Sequence, residues 1–166
     1  MLQLSKNFKQ KRAFITGCAS GLGKEMCHQL SKEGWTIGIT DIDKSGLERT
    51  AAAIAENGGK AIPFIFDVSD EQAYRSAVTK FLDEVGGIDF LVNNAGVGDG
   101  DLFEDYSLEN WRWMIGINFM GVVNGCHFFV PIMKQQRSGH ILNISSAAAF
   151  STSPKMAPYS ATKAAV

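Results

Sequence analysis

Residues 12–23 read RAFITGCASGLG, an apolar run followed directly by three closely spaced glycines. The apolar run predicts a buried strand. Beyond the glycines, Leu22, Met26 and Leu30 recur every four residues, which predicts one face of a helix over about 21–32. A strand, a glycine turn and a helix therefore follow one another near the start of the chain.

The glycine turn is suited to binding a phosphate group. Gly17, Gly21 and Gly23 carry no Cβ, so the backbone can turn tightly and approach a pyrophosphate closely. The helix N-terminus adds free N–H groups and the positive end of the helix dipole. We expect Ser20 and Leu22, which lie in the same turn, to contact a bound dinucleotide as well. Three glycines near a helix start also occur in ordinary tight loops, so the glycine turn alone does not establish a phosphate-binding site.

Composition places the chain among ordinary globular proteins. Of its 166 residues 45% are apolar and 20% charged, with a formal net charge of -1, which predicts a single domain over residues 1–166. This charge balance gives no basic field for nucleic acid or anionic lipid, and no uninterrupted apolar run is long enough to span a bilayer. Residues 1–12 lack the apolar core and cleavage site of a signal peptide, so we expect a cytoplasmic protein.

Neither a metal site nor a disulfide framework is expected. The three cysteines have no paired spacing, which favours free thiols, and the three histidines are scattered without ligand partners nearby. These residues are Cys18, Cys27, Cys126, His28, His127 and His140.

Strand candidates alternate with helical patterns along the whole chain. Parallel strands joined by helices form right-handed crossovers, which predicts a doubly wound α/β fold of the Rossmann type with a parallel sheet. The predicted strands are 12–16, 35–40, 61–66, 88–92 and 140–144, and the predicted helices are 21–32, 45–56, 71–85 and 108–135.

The long fourth helix contains three residues that would affect its packing. Pro131 is expected to kink the helix or to weaken its last turn. Gly121 and Gly125 leave a flat strip on which another backbone could pack closely. Simple tolerance of small residues explains this strip equally well.

The carboxyl ends of the predicted strands, where a sheet of this kind binds its ligand, carry a coherent set of residues. Asp41 follows the second strand, 18 residues after Gly23, an interval suited to an acidic side chain that accepts hydrogen bonds from an adenosine ribose. Later strands are followed by Asp67-Val68, Asn93-Asn94-Ala95-Gly96 and Ser145-Ser146.

Four motifs taken together resemble the short-chain dehydrogenase/reductase family. They are the TGxxxGxG turn, the NNAG segment, a serine 13 residues before a tyrosine, and a YxxxK pair formed by Tyr159 and Lys163. They occur in that family's order from about residue 11 to the end of the chain. The resemblance implies an oxidoreductase that uses a nicotinamide cofactor.

The resemblance also implies roles in catalysis. Tyr159 would be the general acid/base, while Lys163, one helical turn away, would favour its phenolate and hold the nicotinamide ribose. Ser146 would steady the substrate oxygen, whereas Ser145 is expected to point to the opposite face. Asn118 resembles the family's helix asparagine that holds a water between the lysine and solvent, although such an asparagine is also often a surface or packing residue.

The remaining implied roles concern the cofactor. Asp67 resembles the residue that hydrogen-bonds the adenine amino group, with the Val68 N–H beside it. The NNAG segment would form part of the floor under the adenosine through Asn94, Ala95 and Gly96. Asn93 would also tie neighbouring strands together.

Asp41 favours NAD(H) over NADP(H). Its carboxylate would accept from a ribose hydroxyl and repel a 2′-phosphate. Ser20 stands where many NADP-using relatives have a basic residue. Lys44 would reduce this discrimination if its side chain turned toward the phosphate. We therefore expect NAD as the cofactor, with NADP less favoured.

Two hypotheses on function remain open. The leading one is hydride transfer between NAD(H) and an alcohol or ketone substrate. The other is a partner or regulatory protein that binds the cofactor without turnover. The presence of Ser146, Tyr159 and Lys163 together favours the enzyme, because binding alone needs neither the serine nor the tyrosine.

The family implies a longer active protein. Its members run to about 250 residues, ordinary for a single α/β domain, whereas this sequence ends three residues after Lys163. We expect the sequence to be truncated, without the C-terminal strands and the segment that shapes the substrate pocket. The stable, active form would contain further chain and would be a homodimer or homotetramer formed through the long helix and the Tyr159 helix.

Overall fold

The computed structural model describes residue 6, residues 8–151 and residues 153–166. Part of the segment judged for signal-peptide features, residues 1–5 and 7, lies outside the described residues. The described part contains a parallel sheet of five strands in the order β3-β2-β1-β4-β5. The strands are β1 Arg12–Thr16, β2 Thr36–Asp41, β3 Lys60–Ile65, β4 Phe90–Asn93 and β5 His140–Asn143. The order reverses between β1 and β4, the point at which such sheets bind ligands.

Helices connect the strands and continue beyond the last one. They are α1 Gly21–Lys32, α2 Lys44–Glu56, α3 Glu71–Val85, α4 Leu108–Ile115, α5 Gly121–Gln136 and α6 Ala157–Ala164. The doubly wound α/β fold predicted from the sequence is confirmed. The bounds of β1, α1 and α3 agree with the predicted ones, and those of α2 and the other strands differ by one or two residues, which is the usual uncertainty at element ends.

Two apolar clusters cover the two faces of the sheet. On β1, Ala13 and Ile15 point into the cluster that includes Cys27 of α1 and Leu47 of α2. Phe14, between them, points into the opposite cluster, which α3 and α5 fill with aromatic and aliphatic side chains. Because successive side chains alternate across a strand, one buried strand supplies both halves of the core.

The predicted long helix is instead three consecutive segments. A single turn of π-helix, Gly116–Met120, separates α4 from α5, so the irregularity lies there, and α5 continues five residues beyond Pro131 to Gln136. The Gly121 and Gly125 strip allows close packing: a Cβ on Gly121 would lie 2.7 Å from Val68 Cγ2.

By length and composition alone, residues Leu108–Gln136 could cross a membrane. In the fold, this run forms one of the covering layers, because α5 packs against α3 and β4 and buries Phe129 and Met133 in the core. We therefore interpret it as a packing helix of the domain.

One ion pair joins the two central strands at the edge opposite the glycine turn. Arg12 donates from Nε and Nη2 to the two carboxylate oxygens of Asp89, at 2.9 and 3.0 Å, and its backbone N–H donates to the same carboxylate. Both side chains are largely buried, with exposed fractions of 15% and 7%. Removing one partner would leave the other charge buried without compensation.

We expect Asp89→Ala to lower the free energy of unfolding by about 3 to 5 kcal/mol, because it leaves the Arg12 guanidinium unpaired. Glu84→Ala is the matched control, since it removes the exposed Lys60–Glu84 pair and should cost less than about 1 kcal/mol. Urea denaturation of both variants measures the difference. Equal losses would contradict the assignment of the Arg12–Asp89 pair as a main link between β1 and β4.

Candidate functional site

The glycine turn lies where β1, α1 and the end of β4 meet. Gly17 has a φ of +73°, and a Cβ there would lie 2.9 Å from the Cα of Ala95. A Cβ on Gly23 would overlap the carbonyl oxygen of Gly17. Only glycine fits at these two positions, so α1 begins directly against the turn and its first N–H groups face the carboxyl edge of the sheet.

The N-terminus of α1 is open. Its N-cap residue, Ser20, makes no side-chain cap bond, whereas side chains of Asp43, Asp70 and Ser107 cap α2, α3 and α4. The first-turn N–H groups of α1 are therefore available to an anion, and the helix dipole favours negative charge there. This is the arrangement that a pyrophosphate group requires.

Asn94 and Thr16 bind the NNAG segment to the end of β1. Asn94 Nδ2 donates to the carbonyl oxygens of Thr16 and Gly17, at 2.8 and 3.1 Å. In the other direction, Thr16 Oγ1 accepts from the backbone N–H groups of Asn94 and Ala95. These bonds hold the Asn94 amide beneath the glycine turn. Its placement makes Asn94 a support of the turn.

Asn93 links the next pair of strands. Its Nδ2 donates to Oδ1 of Asn143 on β5 at 2.9 Å, and the residue is buried. The carboxyl ends of β1, β4 and β5 are thus joined by side-chain hydrogen bonds in addition to the strand ladders.

Asp41 stands at the end of β2 beside the glycine turn. One carboxylate oxygen accepts from the Ala19 N–H at 2.9 Å and the other from the Asp43 N–H at 3.0 Å. These two bonds fix the carboxylate at the rim of the turn. Ile42 follows, and 68% of it is exposed. Because a carboxylate has about four acceptor positions, both oxygens can still accept from a ligand hydroxyl.

A pocket opens between the ends of the central strands and is lined by several residues predicted from the sequence. Asp67 is at its wall, with Oδ1 accepting from the N–H and the hydroxyl of Ser69, both at 2.8 Å. The side chains of Ile42, Val68 and Ile117 give the pocket an apolar character suited to a flat ring. The lining residues are Gly17, Asp41, Ile42, Phe66, Asp67, Val68, Ala95, Gly96, Val97 and Ile117.

Leu22 shares the helical period of Met26 and Leu30 but is not buried with them. The buried residues of α1 are Gly23 and Cys27, and 55% of Leu22 is exposed. Met26 and Leu30 do pack against the core. Leu22 belongs to the first turn of α1, which extends past the sheet edge, and it lines a second opening with Ser20, Gly21 and Asn94. It therefore lies on the ligand side.

Asn118 lies in the middle of the π-helical turn and is fully buried. Its Oδ1 accepts from the Val97 N–H at 2.8 Å, and its Nδ2 donates to the Val97 carbonyl at 2.9 Å. The surface role left open by the sequence is excluded. π-Helical turns often occur at functional sites, since they redirect a side chain within a helix.

Lys163 is brought to the same place from α6. Only 6% of it is exposed, and its ammonium group donates to the carbonyl of Ile144 just beyond β5 at 2.9 Å. A Cβ on Gly96 would lie 3.2 Å from Lys163 Nζ and 3.3 Å from Asn118 Oδ1. Burial lowers the pKa of Lys163, because desolvation disfavours its charged form.

Tyr159 is on the same face of α6 as Lys163, whose Nζ lies 5.9 Å from the centre of the Tyr159 ring. A Cβ on Gly98 would be in ordinary contact with that ring, at 3.6 Å, so the chain that follows the NNAG segment passes beside it. The ammonium and the phenol are thus held on one side of one short helix, next to the end of β4.

The two serines after β5 have different partners. Ser146 is half-buried, and its Oγ accepts from the Ala148 N–H at 3.2 Å at the start of a 3-10 turn, Ala147–Ala149, that packs against α6. Ser145 Oγ instead donates to the Lys163 carbonyl at 2.6 Å. Ser145 is therefore hydrogen-bonded to α6, whereas the bond of Ser146 is to the 3-10 turn.

Sequence reasoning missed several residues of this site. Thr16 and Ile42 were not selected, although each lies at or just after a strand end, where the ligand-binding edge predicts function. Thr162, which bonds to Asn118, had no sequence signal beyond its place inside the YxxxK pair. Within the described residues no cluster of three possible metal ligands is found, and the cysteines are free thiols.

Fold and site together define a class. An open helix N-terminus behind a glycine turn, a carboxylate at the next strand end and an apolar pocket fit an adenine dinucleotide. A buried lysine beside a tyrosine and an asparagine adds groups able to move a proton. The described residues thus have the geometry of a dinucleotide-binding fold with a candidate acid/base site at its edge.

The chain belongs to the short-chain dehydrogenase family, whose family model, described as short chain dehydrogenase, matches residues 11–166. It is 39% identical over 152 residues to the probable oxidoreductase EphD of Mycobacterium tuberculosis, covering 91% of this chain and 26% of that protein. It is 36% identical over 156 residues to the 3-oxoacyl-[acyl-carrier-protein] reductase FabG of Thermotoga maritima, covering 94% of this chain and 63% of that protein.

Solved structures agree with this assignment. A short-chain dehydrogenase/reductase from Burkholderia phymatum in complex with NAD superimposes with a TM-score of 0.92 at 34% identity, covering 96% of this chain and 57% of that one. An NAD+-bound xylitol dehydrogenase gives a TM-score of 0.90 at 31% identity, covering 95% and 61%. The chain therefore spans about a quarter to under two thirds of the proteins compared here.

We expect Gly23→Ala to weaken nicotinamide cofactor binding by at least about tenfold, because its Cβ would displace α1 from the Gly17 carbonyl and misplace the N–H groups that face the phosphates. Gly116→Ala is the control, since its Cβ meets only Ser69 at an ordinary 3.4 Å. Fluorescence titration of the full-length protein measures both. Unchanged affinity in Gly23→Ala would contradict the assignment of the glycine turn as the phosphate-binding element.

Proposed function

We propose that the full-length protein is an oxidoreductase that transfers a hydride between NAD(H) and an alcohol or ketone. The observation that carries this proposal is the placement of Lys163. Its buried ammonium is held by the Ile144 carbonyl, faces Gly96 of the NNAG segment, and lies on the same helix face as Tyr159. One side chain thereby connects the cofactor edge of the sheet to a candidate acid/base.

The chain's own residues suit the proton transfer that must accompany hydride transfer. Bound NAD+ supplies the hydride acceptor. Tyr159 would take the proton from the alcohol oxygen or return it to a ketone. The positive charge of Lys163 favours the phenolate form of that tyrosine. The Ser146 hydroxyl accepts from the Ala148 N–H, a bond that does not use its own proton. Ser146 would therefore donate that proton to the substrate oxygen.

The cofactor groups would be held by elements that the sequence already pointed to. The open turn with Gly17, Ser20, Gly21, Leu22 and Gly23 would take the pyrophosphate, and Asp41 the adenosine ribose. Asp67 and Val68 would contact the adenine, with Ala95 and Gly96 beneath the adenosine. NAD bound in two similar structures supports this proposal.

We expect NAD(H) to bind at least about tenfold more tightly than NADP(H). A 2′-phosphate close to the fixed Asp41 carboxylate would meet a like charge, which costs on the order of 4 kcal/mol at 4 Å before screening. Lys44, whose Nζ lies 3.8 Å from the Glu48 carboxylate in an exposed pair, would reduce this preference if its side chain turned toward the phosphate. Titration of both cofactors measures the preference, and equal or reversed affinities would contradict it.

Asp41→Asn should reduce this preference, because it removes the charge while keeping an oxygen that can accept from Ala19. Asp43→Asn is the matched control. Asp43 is two residues away, and its carboxylate caps α2 through the Gly46 N–H. The control should leave the preference between the two cofactors unchanged.

We expect Tyr159→Phe to lower kcat by at least about 10² to 10⁴-fold while NAD affinity stays nearly constant, because only the proton-transfer oxygen is lost. Tyr74→Phe is the matched control: its hydroxyl is buried and finds no partner within the described residues, so turnover should persist. Lys163→Met should differ by weakening cofactor binding as well. Steady-state kinetics over a panel of secondary alcohols tests all three variants.

The same panel discriminates the alternative of a cofactor-binding protein without turnover. A wild-type protein that binds NAD but oxidises none of the alcohols would support that alternative. A Tyr159→Phe variant that keeps most of the wild-type rate would show that another group moves the proton.

The proposal also includes a homodimer or homotetramer. The outer face of α5 and the adjoining π-helical turn expose Met120 and Val123. A shallow groove on this face is lined by Val122, Val123, Cys126, His127, Val130 and Pro131. An exposed apolar surface of this kind is typical of a protein interface.

The cytoplasmic location expected from the sequence stays a prediction.

A further inference from the structure

Thr162 connects the two helical segments that carry the candidate catalytic side chains. It lies between Ala161 and Lys163 on α6, and only 3% of it is exposed. We propose that its hydroxyl is a positioning group that sets Asn118 and the Tyr159–Lys163 turn relative to each other. This inference rests on the proposed function, because its effect is on the rate of proton and hydride transfer.

The direction of the hydrogen bonds at Thr162 is determined by its single proton. Thr162 Oγ1 donates to the carbonyl oxygen of Tyr159 at 2.9 Å, and a carbonyl can only accept. Toward Asn118, at 3.1 Å, the hydroxyl oxygen must therefore be the acceptor and Nδ2 the donor. A directed chain results, from the Asn118 amide through the threonine hydroxyl to the backbone of Tyr159.

The Asn118 side chain is oriented by Val97 and tied to α6 by Thr162. Both Nδ2 protons are used, one by the Val97 carbonyl and one by Thr162. The amide oxygen is thereby turned toward the Val97 N–H and toward Gly96, where Lys163 Nζ also lies. The two Val97 bonds fix which polar atom of Asn118 faces the lysine, and the bond to Thr162 holds that amide against α6.

The same bond is one of the polar contacts that hold α6, together with the bonds of Lys163 to Ile144 and Ser145. Within the described residues, α6 has eight residues and no side-chain N-cap bond, and it meets a π-helical turn whose backbone is irregular. Isolated helices of this length are not stable, so contacts with neighbours must hold the helix in place. A small displacement at a catalytic group can cost about 10²-fold in rate.

Valine has the shape of threonine without the hydroxyl, so Thr162→Val removes both bonds and changes the packing little. In the full-length protein we expect kcat to fall by about tenfold or more, with KM and NAD affinity within about twofold. Thr162→Ser should restore kcat to within about threefold, because serine keeps the donor and the acceptor. Thr162→Ala takes the place of valine if that variant does not fold.

Thr79→Val is the matched control for a helix threonine. Its hydroxyl donates to the Arg75 carbonyl on the exposed side of α3, so kcat should stay at the wild-type value. Thermal unfolding of every variant, followed by circular dichroism, separates loss of fold from loss of rate.

A double-mutant cycle tests the route through Asn118. In an Asn118→Ala background, Thr162→Val should change kcat by less than about twofold, because the partner is already gone. Fully additive losses would overturn the proposed route. So would a Thr162→Val protein with wild-type kcat, or a loss that serine does not restore.

The experiments distinguish failure of the proposed function from failure of the role of Thr162. If the wild type is active and Tyr159→Phe is not, while Thr162→Val keeps full activity, only the inference about Thr162 fails. If the folded wild type binds NAD and oxidises no alcohol, the proposed function fails and the role of Thr162 in turnover fails with it.

Discussion

The site depends on the close approach of the glycine turn to the end of β4. Gly23 packs on the carbonyl of Gly17, and Gly17 packs on Ala95, with no space for a Cβ at either glycine. Asn94 then bonds to the carbonyl groups at the end of β1 from below. This contact places the open end of α1 at the point where the strand order reverses. Every proposed cofactor contact is positioned relative to it.

The side of the site that carries the candidate acid/base residues is held in a different way. Hydrophobic burial places α1, α2, α3 and α5 against the sheet, but polar bonds connect α6 to it. The Ile144 carbonyl accepts from Lys163, Ser145 donates to the Lys163 carbonyl, and Asn118 reaches α6 through Thr162. Directional bonds define position and orientation together, which suits groups that must hold a proton donor at a fixed distance from a cofactor.

Much of this arrangement could be predicted from the sequence because it follows from periodicity and strand ends. The buried residues of α3 (Tyr74, Ala77, Val78 and Phe81) follow its helical period, and Asp41, Asp67 and Asn94 line openings at the carboxyl edge of the sheet. The π-helical turn around Asn118 could not be predicted, since no local sequence pattern marks it and the partners of Asn118, Val97 and Thr162, are distant in sequence. Leu22 matched the helical period, but the period does not show that the first turn extends past the sheet.

Direct observation of the transferred hydrogen tests the central claim best. The full-length protein would be incubated with NAD+ and secondary alcohols carrying deuterium on the carbinol carbon, and the reduced cofactor analysed by NMR. The account predicts deuterium at C4 of the nicotinamide ring, and no deuterium there when the label is only in the solvent. Cofactor that is reduced without substrate label, or that stays bound and oxidised with every alcohol, would contradict it.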